Sequence, residues 1–115
     1  MTKLLGAFWL PTILGTTLAA PMPAPPMLPT PAPHIRFEGG DGSSCEKAIV
    51  IVAEHEPEGI RAERWRVWSK NPGAGIVEMI ESHAGGRDLE TIRFQMPDGS
   101  KRSLCFDITS FYGKP

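Results

Sequence analysis

The clearest pattern along the chain is a two-strand alternation within residues 89–111. Apolar and polar side chains alternate with a period of two on both sides of a Pro-Asp-Gly-Ser turn at residues 97–100, which is typical of a half-buried hairpin. Each strand carries an apolar triplet: Ile92, Phe94 and Met96 in the first, and Leu104, Phe106 and Ile108 in the second. The two triplets are predicted to share one face, which needs a helix or a second sheet to cover it.

Three further elements are predicted before the hairpin. Residues 48–53 (AIVIVA) are continuously apolar and β-branched, which favours a buried strand. Residues 60–70 are predicted to be helical, because Pro57 suits a first helical turn and Asn71-Pro72-Gly73 ends the pattern. Residues 74–83 are predicted to form another strand, which a glycine-containing turn joins to the hairpin.

This order predicts an α+β domain: a small β-α-β-β-β roll with one helix packed on a four-stranded, mainly antiparallel sheet. Its outline is similar to that of the cystatin and PepSY-type folds, a topological likeness that implies no function. The apolar face of the helix is expected to pack on the sheet. Arg64 lies within this face, and its side chain is expected to extend past the edge of the contact into solvent. The face is an arc that consists of Ile60, Trp65, Val67 and Trp68.

The N-terminal residues have the parts of a secretory signal peptide. Lys3 precedes an uncharged apolar stretch at residues 4–20, and cleavage is predicted after Ala19 or Ala20. The alternative is an uncleaved membrane anchor, but the stretch is short for a span and Pro11 interrupts it. The protein is therefore predicted to be secreted or periplasmic, with no stable membrane span after cleavage.

A change in composition separates this segment from the rest of the chain. Seven of the twelve prolines lie within residues 21–33, and a glycine-rich run follows at residues 39–44. A semi-rigid spacer is the preferred interpretation, and a P-x-x-P ligand for an aromatic groove is the alternative. The predicted organisation is a signal peptide (1–20), a Pro-rich then Gly-rich disordered linker (21–44) and one α+β domain (45–115).

Length and charge exclude some classes of function. The chain has 115 residues, which is one domain at most, and a formal net charge of −1. It has no long run of one charge sign, so nucleic acid is not a predicted partner.

The two cysteines, Cys45 and Cys105, can pair if the chain is exported. A bond between them would tie the entry of the first strand to the last strand, and it requires these strands to be neighbours. Two free thiols are the alternative. The bond is the preferred interpretation in an oxidising compartment.

Candidate chemistry is sparse. His55 lies between Glu54 and Glu56, and His83 lies near the end of a predicted strand, but no H-x-x-x-H or C-x-x-C spacing accompanies them. No nucleophile elbow is present either. No catalytic residue, metal site or cofactor is therefore predicted.

The predicted helix offers a different kind of site. Basic side chains alternate with tryptophans along it, which suits binding to a partner through cation–π or apolar contacts. The alternative is a solvated helix face. The candidate partner-binding residues are Arg61, Arg64, Trp65 and Trp68.

Three stretches also resemble a group of small exported bacterial α+β proteins of unknown function. They are GDGSSCEKAIVI (40–51), EGIRAERW (58–65) and FDITSFYGK (106–114). The resemblance covers most of residues 40–114 and implies one compact module, with no catalytic residue or ligand attached to it.

Two functions follow as hypotheses. The first is an exported, non-enzymatic interaction module that binds a protein or a cell-envelope component. The second is a small envelope enzyme or metal-binding protein that uses His55, His83 and nearby carboxylates. A homodimer that covers the second face of the strand at residues 48–53 is a further structural option.

Overall fold

A computed structural model describes residues 30–115. The predicted signal peptide and most of the predicted proline-rich spacer lie outside the described residues. The described part contains five strands and one α-helix: β1 (Arg36–Gly39), β2 (Ile49–Val52), α1 (Glu56–Lys70), β3 (Gly75–Ala84), β4 (Arg87–Gln95) and β5 (Lys101–Asp107). A single 3-10 turn, Cys45–Lys47, precedes β2.

The strands form one mixed sheet in the order β1-β2-β5-β4-β3. β2 pairs in parallel with β5, and the other three neighbouring pairs are antiparallel. The predicted α+β class and the single helix are confirmed, as is the adjacency of the first predicted strand and the last. The predicted number of four strands is wrong, because the sheet has a fifth strand.

The additional strand is β1, which lies within the range predicted as a disordered linker. It pairs antiparallel with β2 over its whole length, with Phe37 opposite Ile51. Its end approaches the start of β2 so closely that a Cβ on Gly39 or Gly40 would lie 2.7 Å or less from backbone atoms of residues 47–48. The sheet therefore begins before the predicted domain boundary at residue 45, and glycine permits the close return of the chain.

Helix α1 begins earlier than predicted, and its buried face coincides only in part with the predicted arc. Pro57 lies in its first turn, where the missing N–H costs no helical hydrogen bond, and Glu56 and Glu58 suit the positive end of the dipole. The buried residues are Gly59, Ala62, Glu63, Val67 and Trp68. Val67 and Trp68 are buried as predicted, but the buried face extends toward Ala62 and Glu63, and Trp65 at the other end of the predicted arc is only half-buried.

The main core lies between α1 and the inner face of the sheet. The predicted hairpin face is confirmed, since Ile92, Phe94, Phe106 and Ile108 are buried and Met96 and Leu104 pack partly against them. The C-terminal turn closes this core from one end with Phe111, which is fully buried. The Ser110 hydroxyl fastens the turn to β2, because it donates to Ile51 O (2.8 Å) and accepts from Ala53 N (3.1 Å).

The predicted disulfide between Cys45 and Cys105 is confirmed, with a Cα–Cα distance of 5.1 Å. It lies on the outer face of the sheet, where Cys105 joins Ala48 and Leu89 in a second, smaller apolar cluster. A disulfide is typical of proteins outside the cytoplasm, so it is consistent with an extracytoplasmic location. No helix among the described residues is both long enough and apolar enough to cross a membrane.

Candidate functional site

The predicted partner-binding residues of α1 differ in accessibility. Arg61 is exposed, Arg64 and Trp65 are half-buried, and Trp68 is only 8% exposed because it belongs to the core. Trp65 stacks on Phe37 of β1, with ring centroids 5.8 Å apart, and the Arg66 guanidinium lies 4.1 Å from the centre of the same Phe37 ring. The aromatic side chains of the helix are therefore largely engaged within the domain.

The two histidines named as candidate ligands occupy separate environments. The Nδ1 atom of His55 lies 2.9 Å from the backbone oxygen of Pro115 at the helix start. His83 lies near the C-terminal end of β3, where its Nδ1 atom is 2.7 Å from Oδ1 of Asp88 on β4. The His83 ring lies edge-on to the ring of Tyr112. Within residues 30–115, no group of three or more His, Cys, Asp or Glu side chains is placed to hold a metal ion.

An ion pair on the outer face strengthens the region around the disulfide. Arg87 Nε donates to Asp107 Oδ2 at 2.9 Å, and its Nη2 approaches Cys45 O at 3.5 Å. Burial alone would raise the pKa of Asp107, but hydrogen bonds from the Thr109 hydroxyl and amide and from Arg87 outweigh it and hold this pKa below its usual value. These contacts stabilise the junction of β4 and β5 and offer no open site.

The free edge of β3 is the most prominent accessible feature. β3 is ten residues long and pairs with β4 on one side only, so its other side carries backbone N–H and C=O groups without a strand partner among residues 30–115. Val77 (44% exposed) and Ile80 (39%), the large exposed hydrophobic side chains of the described region, both lie on this strand. Sequence reasoning placed the strand correctly but did not identify it as the sheet edge.

A shallow groove adjoins this edge on the outer face of the sheet. Its volume is about 310 Å³, and basic and hydroxyl side chains line it together with Ile80. Arg93 at one side forms an ion pair with Glu78 of β3, at 3.5 Å. The lining side chains come from three neighbouring strands: Ile80, Thr91, Arg93, Lys101, Arg102 and Ser103.

A buried carboxyl pair is the second feature that sequence reasoning missed. Glu63 of α1 is 0% exposed, and Glu90 of β4 is 8% exposed. Burial, together with the neighbouring Glu90 carboxyl, raises the pKa of Glu63 to about 10, although Arg64 acts against this shift. The signal was present in the sequence, because Glu63 lies three residues after Ile60 and four before Val67, on one stripe of the helix.

Comparisons of the chain with models of known protein families, with curated proteins and with solved structures give no match.

Proposed function

We propose that this protein is an exported interaction module that binds an extended segment of a partner protein along the free edge of β3. The single observation that carries the proposal is the ten-residue edge strand with both Val77 and Ile80 exposed on it. In this mode of recognition, backbone hydrogen bonds supply affinity and neighbouring side-chain sites supply specificity.

The length of β3 supports this interpretation. Natural proteins protect edge strands with charged side chains, above all lysine, with proline, with bulges or by keeping the strand short. β3 contains neither lysine nor proline, although Glu78 and Glu81 are charged and the register shifts between Ile76 and Glu78. The other sheet edge, β1, has only four residues. The long edge is therefore the better surface for an added strand.

The neighbouring groove indicates the chemistry of the partner. Arg93, Lys101 and Arg102 give it a positive character, and Ile80 provides an apolar side. Of these cations, Arg93 lies on β4, directly beside β3, and points to the outer face, where an acidic side chain on the added segment would compete with Glu78 for its guanidinium. We therefore expect the partner segment to alternate apolar and acidic residues.

A direct test uses a defined peptide and a matched pair of variants. The probe is a peptide of about ten residues that alternates valine and glutamate, compared with one that alternates valine and lysine. Amide NMR shifts are expected to map the acidic peptide to β3 and the groove. Ile80→Asp is expected to weaken binding about tenfold or more, through lost apolar contact and charge repulsion. The control Ser69→Asp adds the same charge on an exposed part of α1 and should leave binding unchanged.

Three outcomes would overturn the proposal. The first is equal binding of the acidic peptide by Ile80→Asp and Ser69→Asp, and the second is peptide-induced shifts that avoid β3. The third is concentration-dependent dimerisation mapped to β3 in sedimentation experiments, because the edge would then accept a second copy of this chain.

A further inference from the structure

We propose that Glu63 and Glu90 form a buried proton-binding site beneath α1, in which one carboxyl retains its proton at neutral pH and donates a hydrogen bond to the other. This site is separate from the β3 edge, and its test does not depend on peptide binding.

The absence of other donors leads to this assignment. Both carboxyl oxygens of Glu63 are buried, and neither has a hydrogen-bond partner among the N–H and O–H groups of the described residues. Glu90 is 8% exposed and shares with the buried Ile92 the face of β4 that α1 covers, and it is the carboxyl that acts most strongly on Glu63. Two ionised carboxylates can only accept hydrogen bonds, so they can satisfy one another only if one of them carries a proton.

The surrounding charges favour the protonated state. Glu81 of β3 lies directly opposite Glu90 in the sheet register and adds a second negative charge near Glu63. Glu81 is engaged by the Tyr112 hydroxyl at 3.3 Å, and that acidic neighbour raises the pKa of Tyr112. On β5, the residue opposite Glu90 is the apolar Phe106. Arg64, the next residue on α1, is the cation that opposes protonation.

A proton suits this site better than a metal ion. A buried divalent cation needs several oxygen ligands arranged around it. Residues 30–115 contain no group of three or more ligands in such an arrangement. A shared proton needs only the two carboxyl groups that are present.

The site links stability to pH in a defined direction. The pKa of Glu63 is raised from 4.5 to about 10 on folding, so unfolding releases a proton throughout that interval. The folded state is therefore most favoured in acid, and its advantage declines as the pH rises toward the folded pKa. For one released proton, the unfolding equilibrium constant rises about tenfold per pH unit, which corresponds to about 1.4 kcal/mol.

The test is urea unfolding of the full chain between pH 5 and pH 9. The isosteric variant Glu63→Gln supplies an amide N–H to Glu90 without an ionisable proton. The wild-type unfolding equilibrium constant is expected to rise about tenfold per pH unit because of Glu63, and this rise is expected to be absent in Glu63→Gln. Glu54→Gln, at an exposed carboxylate, is the matched control and should retain the wild-type slope. In Glu90→Gln, the pKa of Glu63 in the folded state is expected to be lower, because Glu63 loses its acidic neighbour. The unfolding equilibrium constant should therefore stop rising at a lower pH than in the wild type.

Infrared spectroscopy provides a readout that does not depend on unfolding. The C=O stretch of a protonated carboxyl is expected at pH 7 in the wild type and in Glu54→Gln, and its absence is expected in Glu63→Gln. An unchanged slope in Glu63→Gln, or no protonated-carboxyl band in the wild type, would refute the site. Stabilisation of the wild type at pH 8 by added calcium or magnesium, lost in Glu63→Gln, would assign the pair to a cation instead.

Discussion

Removal of the Cys45–Cys105 bond is expected to lower the free energy of unfolding by about 4 kcal/mol. The two cysteines are 60 residues apart in sequence, so the cross-link excludes a large set of unfolded conformations. The bond also joins two parts of the sheet that are far apart in the chain, the turn before β2 and the strand β5. A domain of this size has a small core, so such a loss is a large share of its total stability.

The measurement is urea unfolding of the oxidised protein, the reduced protein and the double variant Cys45→Ala/Cys105→Ala. Reduced protein and double variant should show similar losses, because both remove the cross-link while the smaller alanine side chains change only local packing. Complete unfolding of the reduced protein without urea would agree with the prediction. A loss below about 1 kcal/mol would contradict it and would indicate that the unfolded chain is already restricted.

The second large effect concerns the contact between Gly59 of α1 and Phe111 of the C-terminal turn. A Cβ placed on Gly59 would lie 2.4 Å from three ring carbons of Phe111. Gly59→Ala is therefore expected to destabilise the domain by about 1–3 kcal/mol through overpacking, although alanine is the better helix former by about 1 kcal/mol. Phe111→Ala is expected to cost about 3–5 kcal/mol, because it empties a fully buried site.

The two substitutions are expected to be strongly non-additive. In the Phe111→Ala background the obstruction is gone, so Gly59→Ala should become neutral or stabilising by up to about 1 kcal/mol. A double-mutant cycle by urea unfolding measures this change of sign, and Phe111→Leu serves as a milder background. Ser69→Ala, on the exposed side of α1, is the control whose effect should not depend on residue 111. Additive effects of the two core substitutions would show that the helix start moves to accommodate the new methyl group.

The helix and the hairpin could be predicted from the sequence because their sequence signals are local. Alternation of Ile92 and Phe94 with polar residues defines a strand within a few positions, and Pro57 defines a helix start by its own fixed geometry. The disulfide was accessible because the chain has only two cysteines. These features require no knowledge of which elements become neighbours.

The strand β1 and the position of β3 at the sheet edge could not be predicted from the sequence in the same way. β1 has four residues, and its backbone hydrogen bonds are made to β2, so its own sequence contains little of what stabilises it. Whether a strand is central or at an edge depends on the order in which the whole sheet assembles. The exposure of Val77 and Ile80 follows from that order and not from their immediate neighbours.

Glu63 and Glu90 show most clearly what the local sequence determines and what tertiary packing determines. The sequence by itself determined that Glu63 lies on one stripe with Ile60 and Val67, and that Glu90 shares a strand face with Ile92. The packing of α1 on the sheet buries both acids, and this burial first, with the neighbouring Glu90 carboxyl second, raises the pKa of Glu63. Sequence thus determined which local elements form, because those signals act over a few residues. Tertiary structure decided which surfaces are buried, because burial depends on contacts between distant parts of the chain.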